Sequence, residues 1–159
     1  MKTKIFFTAA CLMITFFAFG QNKILSKEEI RASKVENSIQ SGNYEIAVNQ
    51  ANPARGQVQH LTSNYSVRIS GDSTYVYLPY YGRVYRAPVN GEGGIKLANL
   101  MENYKIDYKK GKNYSIKFTA KGNDDVYRFT MTVWTNGNTS INVTCNNRQG
   151  ISYLGELKF

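Results

Sequence analysis

Residues 103–146 read NYKIDYKKGKNYSIKFTAKGNDDVYRFTMTVWTNGNTSINVTCN. Tyr104, Ile106 and Tyr108 alternate with Lys105, Asp107 and Lys109. The same alternation returns after Gly111-Lys112, in Tyr114, Ile116, Phe118 and Ala120, and after Asn123-Asp124, in Tyr127, Phe129, Met131 and Val133. Asn136-Gly137, a strong hairpin signal, leads into Ile141, Val143 and Cys145. A period of two puts alternate side chains on one face of a strand. The stretch therefore predicts a four-stranded antiparallel meander with turns at these three dipeptides. Its core face would hold Ile106, Ile116, Phe118, Phe129, Met131, Val133, Ile141 and Val143.

The same period extends outward. Tyr44, Ile46 and Val48 share one face, as do Tyr65, Val67 and Ile69. Gly71-Asp72 turns into Thr74–Leu78, and residues 151–159 make a last strand. Short strands with turn residues every ~8–12 positions form an antiparallel barrel or sandwich. No helical stretch separates them, which argues against parallel crossovers. The expected fold is mainly β, a meander-rich antiparallel barrel or sandwich with one N-terminal helix at about 26–41. That helix opens on a capping box, Ser26 with Glu29, and on a staple of Leu25 against Ile30. Ala32, Val35 and Ile39 continue its apolar face, and Gly42 supplies a left-handed stop.

The first 20 residues read differently. Lys2 and Lys4 precede the uncharged apolar run Ile5–Phe19, and Ala18-Phe19-Gly20 places small residues before Gln21. This is the pattern of a secretory signal peptide cleaved after Gly20. A membrane anchor would need ~20 apolar residues, and the run has 15. Cys11 lies mid-run and reads as part of the discarded signal. The expected organisation is a signal peptide at 1–20, a helical segment at 21–42 and a β domain at 43–159, with no membrane span after cleavage. The expected destination is the periplasm or the exterior, attached to the envelope or free.

The chain has 159 residues and a formal charge of +9, which falls to +7 once Lys2 and Lys4 leave. It is long enough to bury a core without staples. Only Cys145 remains after cleavage, so no internal disulfide forms. All 12 Tyr remain as well, while five of the 8 Phe leave.

One stretch stands apart from the strand pattern. Residues 77–96 read YLPYYGRVYRAPVNGEGGIK, with Tyr, Arg, Pro and Gly closely mixed. Pro79 cannot donate to a sheet ladder, so the strand ends there. Glycines at 82, 91, 93 and 94 let the chain bend. Rigid Tyr with Arg suits a recognition surface. The candidate binding residues are Tyr77, Tyr80, Tyr81, Gly82, Arg83, Tyr85, Glu92, Gly93 and Gly94. The alternative is a long connection whose Tyr rings pack over the end of the core, with Arg83 and Glu92 paired to lock it.

The run from Tyr77 to Arg83, the following Ala87-Pro88 and Gly91–Lys96 resemble the signature of a secreted family found mainly in Bacteroidetes, the domain of unknown function number 4251. Ser41–Tyr44, Leu61–Tyr65, Asn146–Arg148 and Ile151–Gly155 agree with it, so the resemblance spans about residues 35–158. It implies a secreted or envelope-attached single domain with no established activity. Many relatives resemble lipoproteins; this chain departs from them in lacking a Cys at the signal junction.

Catalytic signatures are sparse. His60 is the only histidine, which excludes a multi-histidine metal site, and no Gly-x-Ser-x-Gly elbow occurs. Cys145 shares the apolar face of Ile141 and Val143 and reads as a buried small hydrophobe. Asp124-Asp125 reads as turn chemistry. No cofactor motif is present. Lys105, Lys109, Lys110, Lys112, Lys117 and Lys121 surround one hairpin, either as a solvated face that resists edge pairing or as an attraction to an anionic surface. Export argues against nucleic acid as partner. The sequence thus favours a non-enzymatic module binding an unidentified ligand or envelope component, with an anionic one suited to its charge. The alternatives are a glycan hydrolase using carboxylates such as Glu45, Glu92 and Glu156, or a purely structural envelope protein.

Overall fold

The structure, a computed structural model, describes residues 26–87, 93–109, 111–123 and 125–159. The expected signal peptide, its cleavage site and the staple residue Leu25 lie outside the described residues.

Helix α1 (Lys27–Gln40) begins at the expected capping box. The Ser26 hydroxyl accepts the Glu29 N–H at 3.1 Å, and the Ser26 N–H donates to the Glu29 carboxylate at 2.8 Å. The helix stops before Gly42, whose φ of +66° is open to glycine at little steric cost. Val35 and Ile39 are buried, but Ile30 is exposed. The apolar face is therefore narrower than its sequence spacing suggests.

Eight strands follow: β1 (Asn43–Pro53), β2 (Gln59–Ser70), β3 (Ser73–Leu78), β4 (Ile95–Lys109), β5 (Asn113–Lys121), β6 (Val126–Trp134), β7 (Asn138–Thr144) and β8 (Ile151–Leu157). Each pairs antiparallel with the next, and β8 returns to β1, so the sheet closes into a barrel. Of the two expected architectures, the barrel is the one formed. Closure gives the first and last strands partners and removes both free edges. The meander turns fall where expected, with Lys109 opposite Asn113 and Val133 opposite Thr139. Asp124, in the second turn, lies outside the described residues.

Inward residues alternate along each strand and merge into one core with Val35 and Ile39. Phe118 and Phe129 stack at 4.7 Å between ring centroids at its centre. Seven of the eight expected meander core residues are buried. Ile106 is the exception, at 40% exposure. It lies on the expected inward face, paired with the buried Ile116, but not at the expected depth. Asn103, at φ +57°, lies where the β4–β5 register shifts, and β3 begins only opposite Leu100. Beyond that point β4 continues with β5 alone beside it, so the inward face of Ile106 meets solvent.

The two barrel ends are closed differently. At one, α1 lies near the turns: Arg31 donates to the Asn136 carbonyl, and the Gly42 carbonyl accepts from Gly71 at 2.9 Å. Inside this end the hydroxyls of Tyr44 and Tyr104 share a hydrogen bond at 3.2 Å. Burial, and then Tyr104, push the ionisation of Tyr44 far above the usual phenol range. The other end is closed by the residues that follow β3.

Candidate functional site

β3 ends at Leu78 and the chain turns across the barrel end. The Pro79 carbonyl accepts from the Tyr153 hydroxyl at 2.7 Å, which ties the turn to the core. Tyr80 then folds back over Gly82, where any Cβ would strike its phenol ring. The Tyr80 hydroxyl lies 2.9 Å from the Arg83 carbonyl and 2.8 Å from that of Gln149. Val84 forms an antiparallel bridge with Arg148. The Asn147 carbonyl accepts from Tyr85 at 2.8 Å, and Gln149 donates to the Arg83 carbonyl at 2.9 Å. Residues 79–87 are thus a strap laid along residues 146–150.

Arg148 is the hub of this arrangement. It is 3% exposed, and its guanidinium donates to the carbonyls of Gly93 at 3.3 Å and Gly94 at 3.1 Å. The same group lies 5.4 Å from the Tyr80 ring centroid, within cation–π range. Gly94 must be glycine because a Cβ would come within 2.9 Å of the Leu78 carbonyl. Asp125 holds the other side of the 146–150 turn, accepting from Asn147 at 2.6 Å and from Val126 at 2.8 Å. That is the turn role expected of it.

The strap sorts the candidate residues. Tyr80 is half-buried and anchors the strap, as in the alternative of rings packed over the core end. Burial is the main force raising its ionisation, as it is for Tyr153. Tyr81, Arg83, Val84, Tyr85 and Arg86 face outward, with Tyr85 the most open of the tyrosines at 63%. Gly82 and Gly94 serve close approach. Tyr77 belongs to the side wall, with its ring 5.2 Å from Tyr65 and the Lys96 ammonium 5.9 Å away. Glu92, and with it the expected Arg83–Glu92 pair, lies outside the described residues. In the sequence Arg148 stands out only as the end of the closing motif Asn146–Arg148. Its one local signal is an arginine set between Asn147 and Gln149 in a turn.

The remaining chemistry is dispersed. His60 is exposed on β2. Cys145, expected to be buried, is only half-buried, because it follows the end of β7 at the 146–150 turn; its thiol donates to the Arg148 carbonyl at 3.9 Å, and burial, then Asp125, push its ionisation upward. Glu45 pairs with Lys158, and Glu156 lies 3.9 Å from Arg31, so each faces a cation. Among the described residues no cluster of three or more His, Cys, Asp or Glu could hold a metal, and no helix is long and apolar enough to cross a membrane.

Fold and site together define a closed eight-stranded antiparallel barrel with a helix at one end and a tied strap at the other. Residues 26–157 match the family described as Domain of unknown function (DUF4251), and the chain belongs to that family. A solved DUF4251 family protein from Bacteroides eggerthii DSM 20697 is 21% identical, with a TM-score of 0.65 over 80% of this chain and 87% of that one. That likeness establishes a shared fold. No curated protein matches the chain.

Proposed function

We propose that this protein is an exported, non-catalytic binding module of the cell envelope, and that the outward face of the strap receives an anionic envelope component. One observation carries the reading. The strap backbone is tied through Tyr80, Arg83, Val84 and Tyr85, while the side chains of Tyr81, Arg83, Tyr85 and Arg86 point to solvent. A backbone already fixed loses little entropy on binding, which is what a preorganised recognition surface requires. Two guanidinium groups beside two phenol rings suit phosphate or carboxylate groups on a partly apolar support. The signal-like N-terminus and the +7 charge that remains after its removal support an address where anionic surfaces are plentiful.

The test is co-sedimentation of the chain from Gln21 onward with phosphatidylcholine vesicles, with and without phosphatidylglycerol. The reading expects binding only to the anionic vesicles, weakened by salt. Equal recovery with both, or with neither, contradicts it and favours a purely structural role.

A further inference from the structure

We infer that the outer face of β6, β7, β8 and β1 is a binding face for an extended, uncharged oligosaccharide, independent of the strap. The face is built of rungs. Thr130, Asn142, Ser152 and Asn52 lie side by side across the four strands, and Thr132, Ser140, Leu154 and Gln50 form the next rung. Neither rung carries a charge. The protein as a whole is strongly basic, and its lysines gather on β4 and β5, where Lys96, Lys105, Lys109, Lys117 and Lys121 are exposed; Lys117, opposite Thr130, marks the border of the rungs. Charged residues flank the rungs, Arg128 toward one barrel end and Glu156 toward the other, but the two rungs themselves are neutral and suit a ligand that brings no charge.

Trp134 closes the end of this face, 39% exposed. It borders an open groove of about 510 Å³ shared with Asn49, Gln50, Asn138, Leu154 and Glu156, whose carboxylate lies 3.9 Å from the Arg31 guanidinium. A second depression of about 230 Å³ lies further along β8, between Asn52, Asn142 and Ser152. Leu154 in the first and Ser152 in the second are two residues apart, so the hollows follow one another along the strand by roughly 7 Å. The larger hollow has a structural origin. β1 shifts register between Val48 and Gln50, opposite Gly155, where a Cβ would overlap the Ala47 carbonyl. The amides there are already ordered, with Gln50 donating to Asn52 at 2.8 Å.

The chemistry selects the ligand. A pyranose ring has an apolar C–H face, which packs on an indole, and a rim of hydroxyls that both donate and accept. Asn and Gln amides offer both functions, as do Ser and Thr hydroxyls. An aromatic platform beside convergent neutral polar groups orients such a ligand without charge. Consecutive hollows along one strand suit several linked sugars.

Trp134 is the only tryptophan, so its fluorescence reports on this groove alone. Titration with cellohexaose, maltohexaose, xylohexaose and mannohexaose should give a saturable emission change with at least one of them, unaffected by salt. By calorimetry, Trp134→Ala and Ser140→Lys should each weaken that binding at least about tenfold while leaving the melting temperature nearly unchanged. Arg83→Ala/Arg86→Ala should leave it intact, so failure of the strap reading and failure of this one can be told apart. No response to any of the four glycans, or binding that survives both face substitutions, overturns the inference.

Discussion

The guanidinium of Arg148 reaches 54 residues back along the chain to the carbonyl of Gly94 and sits over the ring of Tyr80. One buried side chain thereby joins the return of the strap, its start and the turn before β8. Arg148→Ala should destabilise the fold by about 3 kcal/mol, because two charge-assisted bonds and the contact with the Tyr80 ring are lost together. Arg148→Lys should recover only part of this, since a point charge cannot match a planar fork. Urea unfolding of the three proteins gives the comparison.

The contrast between Phe129 and Ile106 tests the depth of the meander. Phe129 is buried and stacked on Phe118, so Phe129→Ala should cost roughly 3–5 kcal/mol. Ile106 overhangs the barrel end, and Ile106→Ala should cost less than about 1 kcal/mol. Equal losses in urea melts would contradict the overhang.

Alkaline pH should unfold the barrel through its buried phenols. Burial raises the ionisation of Tyr44 and Tyr153 in the folded state, while in the unfolded chain both ionise near pH ~10. Above that pH the unfolded state releases protons the folded state keeps, so stability falls as pH rises; below it the contribution is complete. Melting temperature should be level up to about pH 9 and drop beyond about pH 10, with a shallower drop in Tyr44→Phe.

Gly155 faces the shift in β1. Gly155→Ala should destabilise by ~1–3 kcal/mol, because the added methyl meets the Ala47 backbone rather than a movable side chain. Thermal melting beside Gly111→Ala, at a turn with open space but positive φ, separates overlap from backbone strain.

How legible this was depended on range. The Asn136-Gly137 turn and the alternation around Phe129 are local, and they placed the meander and its register. β4 was less legible. Its first half, from Ile95 to Leu100, puts Ala98 and Asn99 where a clear apolar alternation would continue, and the irregularity at Asn103 then moves the inward set from odd to even positions. Closure rests on β8 meeting β1 from about 100 residues away, which no local pattern encodes. At the strap, Pro79 and the glycines marked where the chain breaks and bends. What Tyr80 does there depends on Gln149 and Arg148, far away in sequence, so a ring that reads as a contact residue serves as an anchor.

On the proposed reading the strap binds through its outward arginines while its buried side holds the fold. Vesicle co-sedimentation of Arg83→Ala/Arg86→Ala beside Lys105→Ala/Lys109→Ala/Lys112→Ala separates the strap from the hairpin. The arginine variant should lose binding to phosphatidylglycerol vesicles at an unchanged melting temperature, whereas the lysine variant should keep most of it. Retained binding in the arginine variant, with loss in the lysine variant, would assign the attraction to the β4–β5 hairpin and contradict the role given to the strap.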